Sequence, residues 1–232
     1  MKPYWAVVPA AGVGKRMLSD RPKQYLDLNG LSILEHTLTR LVNYEAIKGV
    51  IVATSDEDEY WPDLAISKHE KITRVSGGAE RCYSVLNGLE YLIEHVDQSD
   101  WVMVHDAARP CLRTEDLDKL LTYLSCQAVG GLLGVPVSDT IKQVNTDKHV
   151  EKTVDRSTLW RALTPQMFHL GMLYEALADA LDSGYEVTDE ASAIEFAGFS
   201  PIMVEGYSDN IKVTRPEDLP LAELIMRQMK AE

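Results

Sequence analysis

The sequence predicts an α/β fold: a doubly wound, mostly parallel sheet with a protruding β-hairpin arm. Three observations predict it. Apolar strand-like runs alternate with amphipathic helical stretches along the chain, the pattern of a parallel sheet covered on both faces. The residues with chemical character come directly after strands, where open α/β sheets hold their ligands. One polar segment, 137–160, breaks the rhythm. Strands are expected at 4–9, 49–54, 71–75, 101–105, 130–136 and 201–204, and helices at 32–43, 79–95, 114–126, 170–183 and 189–197. Within 137–160, Ile141, Val144, Val150 and Val154 alternate with polar residues about the turn Asn145-Thr146-Asp147, which reads as a hairpin. Two strands alone are marginal in water, so this arm is expected to pack against a partner subunit, the alternative being a hairpin folded onto its own domain. No repeat, low-complexity tract or linker divides the 232 residues, so one domain, 1–232, is expected.

The first strand runs into AVVPAAGVGKRM, residues 6–17, and Pro22-Lys23 comes shortly after. Small residues (Ala10, Ala11, Gly12, Gly14) let backbone N–H groups approach an anion, and Arg16 and Lys23 can neutralise a polyphosphate. The spacing excludes two common phosphate loops. Arg16 stands where a Walker loop needs a hydroxyl, and Met17 where a dinucleotide fingerprint needs its third glycine. The alternative is a turn that is merely glycine-rich.

Four later segments add chemistry. In SGGAERCYSVLNGL, residues 76–89, Gly77-Gly78 opens a helix with Arg81 and Ser84 early in it, a place for free N–H groups and for a hydroxyl against a base or ribose. An ordinary capped helix would look similar. In VHDAARPCL, residues 104–112, Asp106 leaves a buried strand, Ala107 and Ala108 leave room beside it, and Arg109-Pro110 comes next. That is a usual position for a Mg²⁺ ligand facing a triphosphate, and also for a turn-capping Asp. Arg156, in TVDRSTLWRALTPQMF, would on its own be a solvated charge. Thr188 in VTDEASA has the look of a helix N-terminus. Lys212, between Ile211 and Val213, is an awkward cation inside a strand unless it snorkels or meets a ligand.

Composition narrows the classes. A net charge of −13 argues against a nucleic-acid or membrane-surface binder, so an anionic ligand must be held by a few local cations. Cys82, Cys111 and Cys126 lack metal spacing, which suits free thiols in a reducing cytoplasm. No apolar run approaches the ~18 residues of a membrane span. A soluble cytoplasmic protein is expected, with no room after residue 223 for a second enzymatic domain.

Taken together, AVVPAAGVGKRM, PKQY, ILEHTL, GGAER with Ser84, VHDAARPCL, PVSDTIK, TVDR, LTPQ, VTDEASA and DNIKVTRPEDL resemble the 2-C-methyl-D-erythritol 4-phosphate cytidylyltransferases, CTP-using enzymes of the non-mevalonate isoprenoid pathway. The likeness runs from residue 6 to about 223. HDAARP, TDEASA and NIKVTRPEDL carry its specificity, since the glycine-rich start is common to many nucleotidyltransferases. The resemblance implies a Rossmann-like nucleotidyltransferase domain in which Ala10, Ala11, Gly12 and Gly14 surround the triphosphate of CTP and Gly77, Gly78 and Ser84 lie near cytosine. It makes Arg16 and Lys23 the transition-state stabilisers, Asp106 the acid on the Mg²⁺ side, and Ala107, Ala108 and Arg109 the pocket beside it. Thr140, Arg156, Thr164, Thr188 and Lys212 match positions around the methylerythritol phosphate, with Arg156 and Lys212 orienting it for attack. It further implies a homodimer that exchanges the β-arm, so that Thr140 and Arg156 serve the neighbouring subunit. Two phosphates meeting in such a site need charge screening rather than a general base, and His105 is expected to be structural. The competing expectations are a ribitol 5-phosphate cytidylyltransferase and a non-catalytic nucleotide-binding regulator on the same scaffold.

Overall fold

The structure is a computed structural model that describes residues 3–12 and 21–229. In chain order its elements are β1 (Tyr4–Pro9), the small hairpin β2 (Asp27–Leu28) and β3 (Leu31–Ser32), α1 (Ile33–Val42), β4 (Ile47–Thr54), β5 (Ile72–Ser76), α2 (Arg81–His95), β6 (Trp101–Val104), α3 (Thr114–Leu124), β7 (Gly130–Pro136), β8 (Ile141–Val144), β9 (Val150–Val154), β10 (Trp160–His169), α4 (Leu170–Asp182), α5 (Glu190–Phe196), β11 (Ile202–Glu205) and α6 (Asp218–Met229). Seven strands form one sheet in the order β11-β7-β10-β6-β1-β4-β5. Neighbours are parallel except at β10, which runs antiparallel to both β6 and β7.

Strand alternation divides the core into two layers. On β1, Ala6 and Val8 face one side, where Leu34, Leu38 and Leu41 of α1 and Leu117, Leu120 and Leu124 of α3 cover the sheet. Val7 faces the other, against Val85, Leu89 and Leu92 of α2 and Leu173 and Leu177 of α4. Each such leucine removed from water contributes roughly 1.5–3 kcal/mol before entropy is subtracted. The entry to α1 is fixed by a capping box: Ser32 Oγ accepts the Glu35 N–H at 3.1 Å while Glu35 Oε2 accepts the Ser32 N–H at 2.9 Å. A third, smaller cluster of Leu28, Ile33, Cys111, Val213, Ala222, Ile225 and Met226 seats α6 over the β2–β3 hairpin. It also anchors the backbone beside Lys212.

All the expected strands and helices form, with ends moved by one or two residues. Three features depart from expectation. β10 is a strand that its sequence disguises, because Pro165 lies inside it and Thr164 and Gln166 are polar yet buried. Its pairing with β7 breaks between Ala162 and Gln166, around the proline that has no N–H to give. α6 contains Pro220 at its third position, where the N–H has no partner within the helix and proline is tolerated. Residues 211–214 form no strand, so Lys212 is not a cation in a ladder but part of an irregular segment.

The arm forms as expected. β8 and β9 pair antiparallel, Ile141 opposite Val154 and Lys142 opposite Thr153. Asn145 Oδ1 accepts the N–H groups of Asp147 and His149 at 3.1 and 3.0 Å, closing a turn in which Lys148 takes a positive φ of 64°. Val144 and Val150 near its tip are 48% and 60% exposed. Among the described residues no helix is long and apolar enough to cross a membrane, and Cys82, Cys111 and Cys126 are free thiols.

Candidate active site

A cleft of about 390 Å³ opens beyond the carboxyl ends of β1 and β6. Ala10, Ala11 and Gly12 leave β1 on one side of it, Gly78 and Ser84 approach from the start of α2, and Asp106, Ala107 and Ala108 leave β6. Lys23 and Lys212 reach it from other segments. Residues separated by some two hundred positions therefore meet at the place that strand-end logic predicts. Gly14 and Arg16 lie outside the described residues.

Packing explains the glycine pair. A Cβ on Gly77 would stand 2.3 Å from Ala11 Cβ and push the turn off the loop after β1, and one on Gly78 would stand 2.2 Å from Tyr83 Cβ and push it off the start of α2. Gly12 is different: it is exposed, has no positive φ, and no described atom lies within 4 Å of where its Cβ would be. Protein packing gives no reason for glycine there, whereas open backbone facing a cleft does. The Ser84 hydroxyl accepts the Gly78 N–H at 3.0 Å and lies 3.2 Å from Glu80 O, so it closes the glycine turn. Gln24, 4% exposed, donates to Ala10 O at 2.7 Å and ties the segment carrying Lys23 to the end of β1. Lys23 Nζ donates to Val213 O at 3.4 Å, next to Lys212.

Asp106 is the electrostatic centre. Its Oδ1 accepts Arg81 Nε at 2.8 Å, and its Oδ2 lies 2.8 Å from Lys212 Nζ and 3.5 Å from Arg109 Nε. Burial alone would raise its pKa, but Arg81, Lys212 and Arg109 outweigh it and hold the carboxyl well below the usual carboxylate range. Arg81 is itself gripped by Glu190, Nη1 to Oε1 at 2.7 Å and Nη2 to Oε2 at 3.1 Å. Burial works against the Arg81 charge, yet Glu190 and Asp106 raise its basicity above the ordinary value.

Beneath Asp106 lies a polar scaffold. His105, wholly buried, has its pKa pushed down to about 4 by burial, so the ring is neutral at pH 7. Arg109 O can only accept, so His105 Nε2 carries the proton toward it at 3.1 Å and Nδ1 accepts from the Thr164 hydroxyl at 3.0 Å. The Thr164 oxygen in turn accepts the Asp106 N–H at 3.1 Å. His105 is thus structural, as expected. Thr164, 4% exposed, spends its hydroxyl on this chain of bonds, which sets the Asp106 backbone. Asn210, wholly buried, donates to Thr164 O at 2.8 Å and accepts from Arg109 Nη1 at 2.7 Å through its own carbonyl, so the segment leading to Lys212 is fastened to the same scaffold.

Other expected residues stand apart from the cleft in this chain. Thr140 and Arg156 flank the arm strands, both exposed, and Arg156 Nη1 donates to Ser138 O. Thr188 is exposed and precedes the true N-cap of α5, Asp189, whose Oδ1 accepts the Ser192 N–H at 3.0 Å. Sequence reasoning named Arg81 without a role and overlooked Glu190. The only signal was opposite charge at the starts of two helices 109 positions apart, and tertiary structure alone pairs them.

Among the described residues, Asp106 and Glu80 are the carboxylates lining the cleft, and no group of three metal-ligating side chains occurs. A hard ion that draws most of its oxygens from phosphates and water, adding one from an ionised Asp106, fits this arrangement.

The sequence profile of the family described as 2-C-methyl-D-erythritol 4-phosphate cytidylyltransferase (IspD) matches residues 4–228. A protein of that description from Aliivibrio fischeri is 52% identical over 227 residues, 98% of this chain and 95% of its own length. One from Pseudomonas entomophila is 57% identical over 217 residues, 93% of this chain and 92% of its own. Among solved structures, a 4-diphosphocytidyl-2C-methyl-D-erythritol synthase superposes with a TM-score of 0.85 at 36% identity, covering 97% of this chain and 99% of the other. The Francisella tularensis 2-C-methyl-D-erythritol 4-phosphate cytidylyltransferase gives a TM-score of 0.84, also at 36% identity, over 96% of this chain and 99% of its own. With a cleft assembled from the segments that carried the resemblance, and relatives this similar over nearly their whole length, the chain belongs to the 2-C-methyl-D-erythritol 4-phosphate cytidylyltransferase family.

Proposed function

We propose that this chain transfers CMP from CTP to 2-C-methyl-D-erythritol 4-phosphate, giving 4-(cytidine 5'-diphospho)-2-C-methyl-D-erythritol and pyrophosphate. The observation that carries the reading is the meeting of the open Gly12 backbone, Lys23, Asp106 and Lys212 in one cleft of the family fold. An oxygen of the substrate phosphate attacks the α-phosphorus of CTP in line, the new P–O bond forms, and the bond to pyrophosphate breaks. The attacking phosphate is already ionised at neutral pH, so the protein's task is to screen and align two anions. Lys23 and Arg16 neutralise charge building on the α-phosphate and pyrophosphate. Lys212 leaves Asp106 Oδ2 for the incoming phosphate, which Arg156 also orients. Ala108 and Arg109 belong to the pocket for that substrate, and Ala107 to the CTP side. Asp106 would hold Mg²⁺ together with the nucleotide's phosphate oxygens, and the ion would supply further screening of the triphosphate.

The 1–232 chain is read as a single nucleotidyltransferase domain working in the cytoplasm, where its thiols stay reduced. Residues 137–160 are read as an arm exchanged in a homodimer. Exposure of Arg156 and Thr140 away from the cleft of their own chain supports that reading, since both gain a function only beside another subunit's cleft. No nucleic acid or membrane is among the partners. A coupled pyrophosphate assay with CTP and Mg²⁺ tests the reaction: release with 2-C-methyl-D-erythritol 4-phosphate is expected. Preference for ribitol 5-phosphate would overturn the substrate, and release with neither would favour a nucleotide-binding regulator.

A further inference from the structure

We propose that Glu190 and Arg81 are positioning residues for the transfer: Glu190 clamps the Arg81 guanidinium, and Arg81 sets the rotamer of the Asp106 carboxylate. The proposal rests on the role given to Asp106 above. An arginine lining a triphosphate cleft invites a phosphate-binding role. The contacts point elsewhere. Glu190 takes the Nη1/Nη2 end of the guanidinium at 2.7 and 3.1 Å, which leaves the Nε–H aimed at Asp106 Oδ1 at 2.8 Å. Glu190 thus matches the Arg81 charge and Asp106, which Arg81 shares with Lys212 and Arg109, takes the remaining Nε–H, so Arg81 offers a triphosphate little unspent charge. The planar fork fixes direction as well as distance, which a lysine could not do.

Glu190 is placed to act as an anchor. It is 2% exposed, and Gln166 grips both of its sequence neighbours: Nε2 donates to Oδ2 of the Asp189 carboxylate at 2.9 Å and Oε1 accepts the Ala191 backbone N–H at 2.8 Å. Gln166 comes from β10 and itself is 1% exposed, so the anchor is tied to the sheet. Glu190 is buried while Arg81 keeps 29% of its side chain exposed, and a pair of this kind adds little stability over well-packed apolar side chains; in this proposal what it supplies is a fixed geometry. The consequence appears during turnover. When Lys212 leaves Oδ2 for the incoming phosphate, Asp106 loses one restraint, and the Arg81 bond to Oδ1 keeps the carboxylate from turning away from the cleft.

The test is a double-mutant cycle on the full-length enzyme, with pyrophosphate release as the rate and calorimetry for CTP binding. Glu190→Gln is expected to lower kcat by about 10- to 100-fold, the scale of misalignment at a distance, while the Kd for CTP stays within about two-fold. Arg81→Lys, which keeps the charge but not the fork, is expected to do the same and serves if Glu190→Gln does not fold. On an Asp106→Asn background neither substitution should slow the enzyme further, because both act through that carboxylate. A general loss of packing would instead multiply the two losses, and that result, or a Glu190→Gln enzyme with wild-type kcat, overturns the proposal. Weakened CTP binding in Arg81→Lys would do so too, by making Arg81 a phosphate ligand. Should Asp106→Asn alone keep full activity, the role of Asp106 falls and takes this proposal with it. A slow Asp106→Asn with multiplicative losses removes only the positioning.

Discussion

The neutral His105 makes stability depend on pH in a way that its surroundings let us calculate. The ring is wholly buried and its pKa is pushed from 6.5 down to about 4 in the folded protein. Between those values the unfolded chain binds a proton that the folded chain refuses, so stability falls as pH falls through this window. At about 1.4 kcal/mol per pKa unit the whole displacement is worth about 3 kcal/mol, of which about 2 kcal/mol is lost between pH 7.5 and pH 5. Asp106 acts in the same direction but later: its carboxyl titrates below the ordinary 3.8 when folded, so its contribution is present above that value and disappears only in stronger acid. The measurement is urea unfolding at intervals from pH 7.5 to 5, on wild type and on His105→Gln. The glutamine can still donate toward Arg109 O, and its baseline loss of stability does not matter. What matters is the difference in slope, in which other titrating groups cancel. Wild type should lose about 2 kcal/mol more than His105→Gln over this range. Parallel curves would refute the argument, because they would mean that His105 charges as easily folded as unfolded.

Three further predictions concern the cleft. Lys23→Ala should lower kcat by at least ~100-fold, the scale of losing one positioned donor to a developing anion, with a smaller change in CTP binding; a rate within a few-fold of wild type would remove Lys23 from the chemistry. Gly77→Ala would place its Cβ 2.3 Å from Ala11 Cβ, so a stability loss of about 1–3 kcal/mol and a raised KM for CTP are expected, checked by thermal melts and initial rates. Arg156→Ala should chiefly raise the KM for methylerythritol phosphate. Mixing it with Lys23→Ala subunits should restore part of the activity if the arm serves the neighbour, and the absence of rescue would count against exchange.

Much of the fold was legible because burial on both faces writes strands as continuous apolar runs. VIVAT within β4 and WVMV in β6 are examples, each almost entirely buried. β10 was not legible, since Thr164 and Gln166 are polar for reasons that only the site explains: one carries the bond from His105 to Asp106, the other clasps the start of α5. The cleft-lining residues placed by strand ends were legible, because topology fixes where the loops leaving β1 and β6 must lie. Those placed by pairing were not. Glu190 looks like one more acid in the first turn of a helix, and only its two-point contact with Arg81 distinguishes it from a favourable dipole contact. Ser84 and Thr164 show the opposite limit: their hydroxyls are where the sequence suggests, yet each closes a turn or fixes a backbone.

The charge pattern of the cleft bears on the assembly. Among the described residues lining it, Lys23, Arg81 and Lys212 are cations and Glu80 and Asp106 are carboxylates, and Arg81 is further neutralised from behind by Glu190. Such a site is close to neutral and cannot by itself bring a triphosphate and a second phosphate together in a protein of net charge −13. What Asp106 does in the free enzyme is hold Lys212 and Arg109 at fixed positions, so that less conformational freedom is lost when an anion takes over the lysine. The remaining screening has to come from elsewhere, and the proposed mechanism names three sources: Arg16, a metal ion carried on the nucleotide, and Arg156 of a neighbouring arm. If that division is right, raising ionic strength should raise the KM for methylerythritol phosphate more steeply in wild type than in Arg156→Ala, because the variant has already lost the cation whose attraction salt screens. Equal salt slopes in the two enzymes would place the screening of the second phosphate within one subunit instead.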